Sequence, residues 1–169
     1  QVSDKNDVEE LRKMLYTCVW RALLFPRQLG EVDISGKLVH YSPYDRRGST
    51  FPGPLSTDSG FWDAYRAVYP MLHLVFPELA AQVSLGWVNA SREDADGMLA
   101  QWASPGRVGS MVGSMGEVSM AEAIVNGALT GEDAQRAYQY AKQSATTQAH
   151  MGREYMGEYM NKGYVPVAP

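Results

Sequence analysis

The sequence is poor in the residues that most often announce a function. It has one cysteine and three histidines in 169 residues. Cys18 cannot form an internal disulfide, and it falls on an apolar helical stripe, so a buried inert thiol is expected there rather than a nucleophile. His40, His73 and His150 are far apart and show no metal-ligand spacing such as His-Glu-x-x-His. His73 beside an apolar helical run reads as a buried or half-buried histidine. No Gly-x-Ser-x-Gly elbow occurs, which leaves a Ser-His-Asp hydrolase unsupported. The glycine-rich stretch from Gly109 to Gly116 lacks both the Gly-Lys-Ser/Thr ending and a preceding strand, so it is not a phosphate loop. Long apolar runs are missing too. The richest window, Ala67 to Val83, is interrupted by Pro70, His73, Pro77 and Glu78, which excludes a membrane-spanning helix there. Lys and Arg are scattered, the formal net charge is -4, and no basic stripe is present, so neither nucleic acid nor membrane is an expected partner.

What is present suits one globular domain, with a 45% hydrophobic and a 20% charged share. Residue 1 is Gln, and the first residues lack the basic and apolar regions of a signal peptide. The stretch from Gly163 to Pro169 reads as a loop leaving a helix. Both ends are therefore expected to be interior points of a longer chain, which leaves localisation open.

Helical periodicity dominates. Val8, Leu11, Leu15, Cys18, Val19 and Ala22 recur at three- and four-residue steps and predict a helix from about Asp7 to Leu24, with an Asn6–Glu9 capping box and a stop at Pro26. A β-hairpin is predicted around Ser35-Gly36. Ser42 to Gly60 reads as a long loop, and such loops are more often functional than not. A helix is expected from about Asp58, carrying Phe61, Tyr65, Val68 and Leu72, with Pro70 kinking or splitting it. Pro77 suits the first turn of a helix running to about Asn89 with Leu79, Val83 and Trp87 inward. A second irregular stretch spans Ala90 to Glu117. Further helices are predicted at Val118–Asn126, closed by Gly127, at Glu132–Thr146, capped by Thr130, and at Gly152–Lys162. Without βαβ alternation or a fixed repeat, the fold class is mainly α, with long loops and a short β-hairpin.

Two clusters join aromatic rings to planar polar groups, a makeup suited to sugars, whose C–H faces pack on rings while their hydroxyls need donors and acceptors. One is Thr57-Asp58-Ser59-Gly60-Phe61-Trp62-Asp63. The other is Gln101-Trp102-Ala103-Ser104-Pro105-Gly106-Arg107. From composition alone, a structural reading competes for each. Asp58 suits a helix N-cap, Trp62 and Trp102 suit a core, and Asp63 suits a solvated first-turn acid.

An ordered set of motifs resembles glycoside hydrolase family 92. It comprises Leu24-Phe25-Pro26-Arg27, Gly36 to Asp45, Ser56 to Arg66 with Val68-Tyr69-Pro70, Gly86-Trp87-Val88-Asn89-Ala90, Trp102-Ala103-Ser104-Pro105-Gly106, Ser110-Met111-Val112-Gly113 and Gly163-Tyr164-Val165-Pro166. The resemblance covers nearly the whole chain. It implies part of an (α/α)6 barrel, the catalytic domain of a calcium-dependent, inverting exo-α-mannosidase, α-1,2-type, acting on a mannose-containing glycan. A secreted or periplasmic glycan-processing compartment would follow for the whole protein. Residues 1–169 would be a partial domain, with the N-terminal β-sandwich and the rest of the barrel elsewhere. The resemblance places Trp62 and Asp63 in the mannose pocket, adds Trp102 and Arg107 as substrate-binding candidates, and leaves no catalytic acid, base or principal calcium ligand in this segment. Asp58, Asp63, Glu78 and Glu117 are not promoted to those roles. Three departures stand out. Val108 occupies the place of a family arginine, with Arg107 one position earlier. Gly97-Met98-Leu99-Ala100-Gln101-Trp102 lacks a tryptophan and a proline of the family's approach, and Arg46-Arg47 replace a glycine-containing loop. The rival readings are a helical binding module without catalysis, and another (α/α)6-barrel glycosidase acting on glucosides.

Overall fold

The computed structural model describes residues 5–109, 113–147 and 155–167. His150, Ser110-Met111-Val112 and the predicted start of the last helix at Gly152 lie outside the described residues. Within them the chain is mainly helical, with three small antiparallel sheets.

Helix α1 (Lys5–Ala22) begins two residues before its predicted start, so Asn6 falls inside it. Its apolar stripe has the predicted spacing but little cover, with only Val19 and Ala22 half-buried. Leu11, Met14, Leu15 and Trp20 are exposed, and no other described element packs substantially against them. Cys18 is exposed as well, contrary to the buried thiol expected. Periodicity fixes which residues share a face. It does not supply the surface that buries them.

Strands β1 (Arg27–Gln28), β2 (Glu31–Val32) and β3 (Leu38–Tyr41) follow, and the predicted hairpin forms between β2 and β3, in register Glu31↔Val39 and Val32↔Leu38. Asp33 shapes its turn. Its carboxylate accepts hydrogen bonds from the Ser35 amide and hydroxyl (both 2.7 Å) and the Lys37 amide (3.0 Å), while Gly36 takes φ +81°. The stretch predicted as a structureless loop holds three more strands: β4 (Thr50–Pro52), β5 (Ser56–Thr57) and β6 (Ser59–Gly60). Strand β4 completes a meander on β3, and β5 pairs with β1. These strands have two or three residues each, too few to show alternation in sequence.

The next predicted helix is split. α2 (Phe61–Ala64) and α3 (Val68–Val75) are separated at residues 65–67, and Pro70 sits in the first turn of α3, where its missing N–H costs nothing. α4 (Pro77–Glu93) starts on Pro77 as expected and runs past Asn89 to Glu93. Asp94 ends it, its carboxylate accepting the amides of Asp96 (3.0 Å) and Met98 (3.4 Å). After a short strand β7 (Trp102–Ala103) come α5 (Met115–Val125), α6 (Gly131–Thr146) and α7 (Met156–Lys162). Gly127 and Gly163 close α5 and α7 with φ +74° and +78°. Thr130 precedes α6 as predicted, yet its side chain makes no capping hydrogen bond.

The core lies between two helix pairs, α3 with α4 and α5 with α6. Its centre is aromatic: Phe61, Tyr69 and Trp87 meet with centroids 4.8–5.8 Å apart in tilted and edge-on geometry. Leu72, Val83, Met120, Ala123 and Ala137 surround them. Leu79, predicted inward, is half-buried. Burying each larger aliphatic side chain contributes roughly 1.5–3 kcal/mol.

Candidate functional site

Strands β6 and β7 bring the two aromatic-polar clusters together. Although they lie some forty residues apart in sequence, they pair antiparallel with Ser59 opposite Ala103 and Gly60 opposite Trp102. The Trp102 ring lies directly on Gly60: a Cβ added there would sit 1.7 Å from the ring. The core supports the pair from below, through the Trp87 indole N–H donating to Ser59 Oγ at 3.2 Å. From the side, Thr57 donates its hydroxyl to the Pro105 carbonyl at 2.7 Å.

Above this junction is a cavity of about 680 Å³. Trp102, Asp58 and Asp63 form part of its wall, with Tyr69 at its floor and the end of α1, at Arg21 and Ala22, on its far side. That volume falls in the range of small-molecule sites, and its lining is mostly apolar with a few placed polar groups. Asp63 stands in the first turn of α2, where the helix N-terminus favours a negative charge. Asp58 is not the N-cap of that helix. Gly60 holds that position, and Asp58 adopts φ +54° two residues earlier. Its carboxylate is already engaged, accepting from Arg27 Nε and, at 2.7 Å, from Ser104 Oγ. The Arg27 hydrogen bond outweighs the effect of burial and, with Ser104, holds the Asp58 carboxyl below the usual carboxylate range.

The four binding candidates therefore part company. Asp63 and Trp102 line one cavity. Trp62, the neighbour of Asp63 on α2, is 52% exposed and lies outside the cavity lining. Arg107 turns the other way. Residues 102–108 form a tight loop that folds back on itself, with Val108 N–H donating to the Trp102 carbonyl at 2.9 Å and Ala103 bridging Arg107 antiparallel. Val108 lines the cavity, while Arg107 ion-pairs with Asp94 and, at 3.7 Å, with Asp96. Of the remaining acids, Glu117 is buried and accepts from Gln101 Nε2 at 2.7 Å, and Gln101 in turn accepts the Gly116 amide at the start of α5. The roles of Arg27 and Ser104 escaped the sequence reading because both depend on strand pairings too short to predict.

Among the described residues, no three His, Cys, Asp or Glu side chains converge to hold a metal ion. The two carboxylates of the cavity do not make a calcium cage, since Asp58 is committed to Arg27 and Ser104 and calcium takes six to eight oxygens.

Comparison with known proteins gives this junction a context. Residues 1–169 match the glycosyl hydrolase family 92 catalytic domain. The fold is similar to that of the family 92 inverting mannosidase BT2199 of Bacteroides thetaiotaomicron VPI-5482, at 39% identity and a TM-score of 0.77, over 89% of this chain and 20% of that one. It is also similar to the family 92 α-mannosidase BT3965 of Bacteroides thetaiotaomicron, solved in complex with mannoimidazole, at 25% identity and a TM-score of 0.70, over 89% of this chain and 19% of that one. A search of curated protein sequences gave no match. The chain thus spans about a fifth of the length of these solved relatives. With a family match over its full length and the same fold at 39% identity, the chain belongs to glycosyl hydrolase family 92.

Proposed function

We propose that this chain forms one wall of the mannose site in an inverting, calcium-dependent exo-α-mannosidase, α-1,2-type, whose (α/α)6 barrel is completed by other segments of the same protein. The observation that carries this reading is the β6–β7 pair, which sets the Trp102 ring and the Asp63 carboxylate on one cavity in a family 92 chain. The ring offers an apolar platform to the C–H face of a pyranose, and the carboxylate accepts from its hydroxyls. Trp62, beside Asp63 on α2 but outside this cavity, is half-exposed and would serve as a platform only in the part of the site that other segments complete. Arg107 is not carried into the site, because Asp94 and Asp96 hold its guanidinium.

Inversion needs a general acid on the leaving oxygen and a general base on water, with their carboxyls about 6.5–9.5 Å apart. Neither Asp58 nor Asp63 is assigned such a role. Both that pair and the principal calcium ligands belong to the remainder of the protein. Calcium, when bound, polarises and orients the sugar hydroxyls it touches.

The complete enzyme tests this directly. It is expected to release mannose from α-mannosides and to bind mannoimidazole in a calorimeter. Asp63→Ala is expected to lower kcat/KM roughly 10–100-fold, the loss of a charge-assisted hydrogen bond, with the melting temperature little changed. The isolated 169-residue chain is expected to show no turnover. A complete protein that folds but ignores α-mannosides would sink the proposal, and activity on α-glucosides instead would point to a different glycosidase.

A further inference from the structure

We propose that Asp58 is the positioning residue of this site, the joint that holds the Trp102 platform and the helix bearing Asp63 in register. Three segments meet at it. The chain enters through β5, paired with β1 so that Thr57 lies opposite Arg27, and leaves through β6, paired with β7 so that Ser59 lies opposite Ala103. Asp58 is the single residue between the two strands. To change partners within one residue, the backbone takes a left-handed turn at φ +54°. Non-glycine residues rarely adopt that region, and Asp and Asn are the most tolerant of it.

The side chain then ties together what the backbone has separated. One carboxylate oxygen accepts from Arg27, on the β1 side, and the other accepts from Ser104 at 2.7 Å, immediately after β7. The carboxylate is 9% exposed, whereas Arg27 is 65% exposed, so the buried member sits at the centre of the junction. Thr57, its neighbour, makes a third tie to Pro105 in the same loop. The Trp87 bond to Ser59 and the Thr57 bond to Pro105 each anchor one point of the two-residue β6–β7 ladder, whereas the Asp58 carboxylate ties the β1 side directly to the β7 side. A short isolated ladder is marginal in water.

This inference rests on the mannosidase reading for its activity arm, and hydrogen exchange supplies an arm that does not. The experiment uses the complete enzyme with Asp58→Asn, Asp58→Gly, Arg27→Gln and Ser104→Ala. Asp58→Gly relieves the backbone and removes both ties. It is expected to lower kcat/KM about tenfold, since small misplacements near reacting groups are expensive, and to speed exchange of the Gly60, Trp102 and Ala103 amides relative to core helix α4. Asp58→Asn, which tolerates the turn and keeps an acceptor for Ser104, is expected to recover part of both. If the complete enzyme does not act on α-mannosides, the proposed function fails while the exchange comparison still decides the role of Asp58. Unchanged exchange and unchanged kcat/KM in Asp58→Gly would overturn the inference. Should Asp58→Gly fail to fold, Arg27→Gln and Ser104→Ala each cut one tie. Faster ladder exchange in both supports the joint, and unchanged exchange in both overturns it.

Discussion

Glu93→Ala is expected to destabilise the folded protein by about 3–5 kcal/mol, the cost of leaving one charge of a buried pair alone. The pair is His40 on β3 and Glu93 at the end of α4, with side chains 0% and 1% exposed. His40 Nδ1 lies 2.8 Å from the Gly53 carbonyl, and Nε2 lies 3.0 and 3.1 Å from the two Glu93 oxygens. A carbonyl and a carboxylate only accept, so both ring nitrogens are best served as donors. The imidazolium satisfies both contacts at once. A neutral ring would set a lone pair against one of them. The pair also ties the β-meander to the helical core, so its loss frees the sheet as well as exposing a charge. Urea titration or calorimetry of the complete protein reads the change, and a loss below 1 kcal/mol would contradict the account.

The same pair makes stability depend on pH. Burial opposes the charged ring, yet the Glu93 hydrogen bond, the Gly53 contact and the Glu93 charge together outweigh it and raise His40 above its ordinary 6.5. Glu93 moves down from 4.5, because the His40 and Ser42 hydrogen bonds and the His40 charge together overcome burial. A raised histidine contributes stability that is complete below its unfolded value and is lost as pH climbs through the folded one. A lowered carboxylate contributes stability present above its unfolded value and lost as pH falls through the folded one. Their joint contribution is therefore greatest between about 4.5 and 6.5. The wild-type melting temperature is expected to fall as pH rises above that window. In Glu93→Gln the slope should flatten, because the partner that raises His40 is gone.

Helices and strands were not equally legible in the sequence. Val83 and Trp87 on α4, the Pro77 start and the Gly127 stop were readable because helical periodicity and capping chemistry are local. The Asp33 turn and its hairpin were readable for the same reason. Strands β4 to β7 were not, since two or three residues carry no period, and the partners of β5, β6 and β7 lie 28 to 44 residues away. That failure hid the most informative feature of the site. The two clusters could be recognised by composition, but only the β6–β7 register shows that Trp102 and Asp63 share a cavity while Arg107 faces Asp94. Asp58, readable as an N-cap, proves to be a joint between strands. The exposed stripe on α1 is the opposite case, a face written in the sequence and left uncovered by the described residues.

Gly60→Ala is expected to cost about 100-fold in kcat/KM, a misplacement effect, while leaving the fold largely intact. Gly60 has φ −95°, so an alanine meets no backbone penalty there. The nearest obstacle is the Trp102 ring. It supplies all three nearest atoms to the added Cβ, at 1.7, 2.3 and 2.7 Å, so the ring must leave its seat. Gly86→Ala is the control. There the new Cβ meets Ser56 Oγ at 2.3 Å, the Ser56 amide nitrogen at 2.5 Å and Ser56 Cβ at 2.9 Å, so α4 must move away from β5. Backbone cannot swing aside as a ring can, and the expected result is a stability loss of about 1–3 kcal/mol with kcat/KM of the surviving folded protein less affected. A double-mutant cycle completes the test. If Gly60→Ala acts only by evicting the ring, adding it to Trp102→Ala should do no further harm to kcat/KM or to mannoimidazole affinity. Additive losses would mean that the glycine serves the site in some way other than seating Trp102. An active, tightly binding Gly60→Ala would show that Trp102 is not the platform.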